Sequence, residues 1–158
     1  MSTLIAYASK YGFTKNCAGL LVGKLTGQTD LFDLDSGIPD LSRYGTVIVG
    51  ASVYAGKLRK AASRFCAQNA GQLKEKKLGL FVCGIAEGEM ALKEIESVFP
   101  QELLAAAAAK GFFGGAFDFE KMNFFERFIM KRILGSSRSQ TRILEDNIER
   151  FAQKMNQA

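Results

Sequence analysis

The stretch that decides the fold is Thr3-Leu-Ile-Ala-Tyr-Ala-Ser-Lys-Tyr-Gly-Phe-Thr14. Its first half, Thr3–Ala8, is a compact apolar run of the kind found in strands covered on both faces. Its second half, Ser9–Thr14, packs two aliphatic hydroxyls and a glycine into one short turn. Cys17, Ala18, Leu21 and Leu25 then recur at helical spacing within Thr14–Thr26. A buried strand, a polar glycine-bearing turn and an amphipathic helix are the opening unit of an α/β fold.

The same alternation continues along the chain. Thr29–Leu34 alternates like a half-buried strand, and Gly45–Gly50 is β-branched and nearly all apolar. Leu58, Ala61, Ala62, Phe65 and Cys66 share a helical face. Lys77–Cys83 reads as another buried strand. Met90–Val98 and Glu102–Ala109 read as a helix interrupted by Pro100, which cannot continue one. The alanines of Ala105–Ala109 are good helix formers. Gly111–Asp118 is the expected fifth strand. Phe119–Leu134 and Thr141–Met155 close the chain as helices, the second with Leu144, Ile148, Phe151 and Met155 on one face. Strands alternating with helices predict a doubly wound, mostly parallel five-stranded sheet. With no repeat, linker or low-complexity tract, residues 1–158 read as one domain.

Composition narrows the function. The chain has 158 residues, 47% of them hydrophobic, enough to fill one large core and to exclude a disordered chain. It contains no histidine. Ser/His/Asp and Cys/His nucleophilic machinery, zincin motifs and Cys/His zinc fingers are therefore excluded together. Cys17, Cys66 and Cys83 lack CxxC spacing and read as buried thiols of a reducing cytoplasm. No apolar run is long enough to span a bilayer, and the start lacks the basic region of a signal peptide. The net charge of +5 suits an anionic partner, but no nucleic-acid motif accompanies it.

In a doubly wound sheet, ligands bind beyond the carboxyl ends of the strands, where the strand order reverses. The turn Ser9, Lys10, Tyr11, Gly12, Phe13, Thr14 offers free backbone N–H groups at a helix start plus two hydroxyls, a cradle for a phosphate. It is neither GxxxxGK[ST] nor GxGxxG, which argues against an NTPase and a standard dinucleotide site. The loop Ser52, Val53, Tyr54, Ala55, Gly56, Lys57 sets an aromatic beside a small flexible pair. Tyr54 can stack on a flat heteroaromatic ring while the Ala55–Gly56 backbone nears its polar edge. Cys83, Gly84, Ile85, Ala86, Glu87 and Gly88 form a third, glycine-containing exit that can close the other side. The plainer alternatives are a capped helix start and a surface turn. No side chain is assigned as acid, base or metal ligand.

These residues carry a resemblance. Ser9–Thr14 is similar to the [ST]-x-[ST]-G-x-T phosphate loop of flavodoxins, with Tyr11 where the family has a small hydroxyl residue. Asp40–Lys57 resembles the flavodoxin third strand and its flavin-contacting loop. The resemblance implies a three-layer sandwich with strand order 2-1-3-4-5 and non-covalent FMN. Its phosphate would lie on Ser9–Thr14, and its ring between Ser52–Lys57 and Gly84–Gly88. Rotation of the Ala55–Gly56 peptide is the family's device for tuning the flavin. With Tyr11 in place, one phosphate hydrogen bond falls to backbone or water.

Two features differ from the acidic electron carriers of that family: the basic charge, and the segment Gly114–Leu134. There Met122, Phe125, Ile129 and Ile133 form a stripe broadened by Phe124 and Phe128. Lys121, Arg127, Lys131 and Arg132 face Glu120 and Glu126. Such a helix can pack on its own core, lie on a membrane or dock a partner. The segment resembles the insertion of menaquinone-dependent protoporphyrinogen oxidases (GGAxxF…RFxMKxI), although the last helix lacks the tryptophan usual there. This implies an amphipathic insertion at about 118–137, a quinone acceptor and peripheral membrane contact through 119–134. Three readings follow: an FMN oxidoreductase of that branch, an electron-shuttle flavodoxin serving redox proteins, and a non-enzymatic basic scaffold.

Overall fold

The computed structural model describes residues 2–85, 88–117, 128, 132 and 140–157. Five parallel strands form the central sheet: β1 (Ser2–Ala8), β2 (Thr29–Asp33), β3 (Tyr44–Tyr54), β5 (Lys77–Cys83) and β6 (Ala107–Phe112). Their order is β2-β1-β3-β5-β6, and the two-residue β4 (Lys57–Leu58) pairs antiparallel with the end of β3. The order matches the expected permutation. The chain leaves β1 to one side for β2 and returns on the other as β3, so the strand order reverses between β1 and β3.

Period-2 alternation divides the strand side chains between two cores. Leu4, Ala6, Val47, Val49, Leu78, Leu80 and Val82 point to one face. That face is covered by α2 (Lys60–Glu75), α3 (Glu89–Val98) and α4 (Gln101–Ala106) through Ala62, Phe65, Leu73, Ile95 and Leu103. Ile5, Tyr7, Ile48, Phe81 and Cys83 point to the other, against Cys17, Ala18 and Leu21 of α1 (Phe13–Val22) and Ile148, Phe151 and Met155 of α5 (Glu145–Gln157). Full burial of each such aliphatic or aromatic side chain contributes roughly 1.5–3 kcal/mol. This two-sided burial is why the middles of β1, β3 and β5 are nearly all apolar. Phe81 stacks on Phe113 with ring centroids 4.4 Å apart, and Phe151 meets both edge-on.

Several boundaries differ from the sequence expectation. β3 does not stop at Gly50. Ala51 and Ser52 stay in the ladder with Val82 and Cys83, and Tyr54 pairs with Lys57 across a hairpin. Ser52, Val53 and Tyr54 are therefore strand residues, and Leu58 lies on β4 and not on the helix that follows. Ala107–Ala109 are strand, not helix. Pro100 resets the chain into the short α4, and the open edge of β5 takes up Ala107–Phe112 with Leu78 opposite Ala107. Edge pairing here overrides alanine's helix propensity. Gly114–Phe117 is a separate strand, β7, paired antiparallel with β8 (Gln140–Ile143). α5 therefore begins at Glu145 and leaves Thr141–Leu144 outside it. The insertion expected at about 118–137 lies outside the described residues except for Phe128 and Arg132. Both are helical, with the Arg132 guanidinium 5.4 Å from the centroid of the exposed Phe128 ring. Among the described residues, no helix is long and apolar enough to cross a membrane.

Candidate functional site

The exits of β1, β3 and β5 converge on one cleft at the strand-order reversal. It is lined by Ser9, Lys10, Tyr11, Phe13, Thr14, Ser52, Val53, Tyr54, Ala55, Cys83, Gly84, Ile85 and Gly115. The space enclosed is about 590 Å³, counting the part open to solvent. Gly12, Gly56 and Lys57 shape the turns without lining the cleft. Gly88 faces a separate groove with Glu89 and Leu92. Ala86 and Glu87 lie outside the described residues.

The first turn builds an anion seat. Gly12, at φ 93°, swings the chain from β1 into α1, and its N–H donates to Ser9 Oγ at 3.0 Å. α1 then starts with no side-chain cap and no acidic residue in its first turn. Uncapped N–H groups at a helix start carry partial positive charge. Thr14 is 1% exposed, and its Oγ1 is buried without a hydrogen-bond partner. A buried hydroxyl left unpaired costs about 1–3 kcal/mol. An uncapped helix start and an orphaned hydroxyl in the same cleft together fit a phosphate.

The second wall is more rigid than a loop. β3 carries Ser52, Val53 and Tyr54 past its neighbours, and the turn Ala55–Gly56 reverses into β4 with both residues at positive φ, 51° and 76°. Positive φ at both central positions is what a two-residue type I′ hairpin needs. Glycine accepts it freely; Ala55 holds it at a cost. Arg59 N–H donates to the Ser52 carbonyl at 2.9 Å and braces the hairpin. Lys10 Nζ sits 5.0 Å from the Tyr54 ring centroid and 5.3 Å from that of Tyr11, so a cation joins the first and second walls.

The third wall is Cys83, Gly84 and Ile85. Burial pushes the Cys83 thiol well above its ordinary range; the neighbouring Cys17 thiol adds to this and the Thr14 hydroxyl opposes it. Such a thiol stays protonated and inert. Gly115 was not anticipated. Gly84 N–H donates to the Gly114 carbonyl at 2.8 Å, and a side chain at Gly115 would start 2.1 Å from the Gly84 carbonyl oxygen. Only glycine permits β7 to press on the cleft wall there. The Gly114-Gly115 pair is its signal in the sequence, where it falls within the stretch Gly111–Asp118 that reads as one strand.

A doubly wound sheet with an anion seat after its first strand and an aromatic-walled cleft at its reversal point is the arrangement in which α/β proteins hold ligands at a topological switch point. The family model for the Flavodoxin domain matches residues 4–143, and the chain belongs to that family. Comparison with curated protein sequences finds no match. Among solved structures, the chain is similar to the flavodoxin, WrbA-like protein from Agrobacterium tumefaciens (14% identity, TM-score 0.60, covering 98% of this chain and 95% of that one). It is also similar to a flavodoxin from the domain Archaea (14% identity, TM-score 0.57, 98% and 99%). Against the flavodiiron protein from Giardia intestinalis the identity is 14%, the TM-score 0.56 and the coverage 98% and 36%. The chain thus spans about a third of that protein's length. At these identities the likeness is one of fold.

Proposed function

We propose that the chain binds FMN non-covalently in this cleft and works in electron transfer. The observation that carries the reading is the buried, unpartnered Thr14 hydroxyl beside the uncapped start of α1, in the same cleft as Tyr54. When bound, the flavin supplies the redox chemistry. The protein holds and orients it. Thr14 Oγ1 and the N–H groups opening α1 hold the phosphate, while Ser9 is committed to fixing Gly12 and Lys10 adds positive charge. Tyr54 stacks on the ring, and Gly84–Ile85 with Gly115 close its opposite side. The Ala55–Gly56 turn places backbone at the ring's polar edge. No side chain of the cleft is required as acid or base.

Within this class we favour an oxidoreductase that passes electrons from a bulky reduced substrate to a quinone, as the resemblance of Gly114–Ile133 to protoporphyrinogen oxidases implies. The exposed Phe128 beside Arg132, and the basic charge where electron carriers are acidic, support it. In this reading 118–137 is an insertion in a single domain, acting near the cleft and at a membrane surface on the cytoplasmic side. The second reading, an electron shuttle for redox proteins, draws on the flavodoxin fold itself. Anaerobic titration of the FMN-loaded protein with protoporphyrinogen and a menaquinone analogue tests the two. Bleaching by the first and recovery by the second is expected of the oxidase. Inertness to both excludes it and leaves the shuttle.

A further inference from the structure

Behind the third wall stands a carboxyl that the cleft itself does not use. Glu94 is on α3, and its Oε1 is buried with no hydrogen-bond partner. That oxygen lies 2.8 Å from the point where a side chain on Gly84 would begin, and the Val53 carbonyl oxygen lies 3.5 Å from the same point. Gly84 and Val53 both line the cleft. Gly84 therefore borders both the cleft and this unpartnered carboxyl oxygen. Residue 84 must be small for the carboxyl to come so near.

Burial raises the Glu94 carboxyl above its ordinary range. The other titratable groups of α3 are Glu89, Lys93 and Glu96, and β6, which packs against α3, carries Lys110. Lys110 is held by Glu96 at 3.1 Å, and Arg142 shares the outer groove with Glu89.

We propose that Glu94 is a positioning residue whose proton state sets how firmly the cleft holds an anionic ligand. The proposal rests on the FMN reading above. Protonated, the carboxyl is neutral and can donate to a carbonyl of the strand ends. Ionised, it places a partly desolvated negative charge beside Gly84 and opposes negative charge in the cleft. By linkage, an anion that enters the cleft must raise the affinity of Glu94 for its proton by the same factor.

The test is quenching of FMN fluorescence at pH 5 to 9 by the wild type and by Glu94→Gln, with proton uptake read from binding calorimetry in two buffers. The FMN phosphate titrates near pH 6 and contributes equally to both proteins. The wild-type affinity should fall about fivefold more than that of Glu94→Gln across the range. The wild type should also take up more protons on binding at neutral pH. Parallel pH profiles with equal proton uptake overturn the role of Glu94 and leave FMN binding standing. Absence of quenching by the wild type at every pH overturns both.

Discussion

At the scale of single residues, the account turns on polar groups of the cleft region that are buried without a partner in the protein. Thr14 is the sharpest. In Thr14→Val the shape is kept and the orphaned hydroxyl removed, so unfolding free energy should hold or rise slightly. FMN affinity should drop about tenfold or more, the value of one hydrogen bond to a charged group. Fluorescence titration beside urea unfolding checks both, and equal affinity in the two proteins would remove Thr14 from the phosphate site. The cysteines make the opposite case. Cys17, Cys66 and Cys83 are all free and buried, and burial pushes the Cys66 thiol up to about 12. Native protein should resist a thiol reagent at neutral pH and react at all three sites once unfolded; rapid native labelling of Cys83 would show that the floor of the cleft is open. Most candidate residues were legible because the chemistry of a phosphate turn is local. Glu94 and Gly115 were not, since each matters only through its closeness to Gly84, which the folded chain and not the local sequence brings about.

At the scale of elements, the hairpin that ends β3 has a testable asymmetry. Gly56→Ala forces a Cβ into positive φ and should cost about 1 kcal/mol, whereas Ala55→Gly relieves strain at similar entropic cost and should be near neutral. Denaturant midpoints decide this, and a harmless Gly56→Ala would mean that the turn is not held at these angles. The elements that were misread share a cause. Period and propensity find a strand that is buried on both faces, as for β1, β3 and β5. They do not find β6, where Ala-Ala-Ala-Lys-Gly-Phe becomes strand only because β5 presents an open edge. Nor do they find where β3 ends, because Ser52–Tyr54 are held by partners that follow them in the chain. The β7–β8 pair joins segments more than twenty residues apart, and nothing local announces it.

At the scale of the whole molecule, two carboxyls shape the pH dependence of stability in opposite senses. The Ser42 N–H and hydroxyl both donate to Asp40 Oδ1 and hold this exposed carboxyl below its ordinary range. Its contribution is present above the unfolded-state value and is lost as pH falls through the folded one. Burial raises Glu94, so its contribution is present at low pH and lost as pH rises through its folded value. Stability should therefore decline on the acid side through Asp40 and on the other side through Glu94. In thermal unfolding across pH 3 to 8, Glu94→Gln should flatten the upper decline and leave the acid limb unchanged. An unaltered upper limb would mean that water reaches the Glu94 carboxyl. The exposed ion pairs Lys24–Glu149, Arg59–Asp35 and Lys74–Glu102 are screened by solvent and do not decide the curve.

All of this depends on the cleft being a flavin site. The most direct measurement is the visible absorption spectrum of the purified protein before and after addition of FMN and removal of the unbound excess. The account predicts a yellow protein that releases FMN on denaturation, with one flavin per chain. A protein that stays colourless and does not quench FMN fluorescence would contradict it.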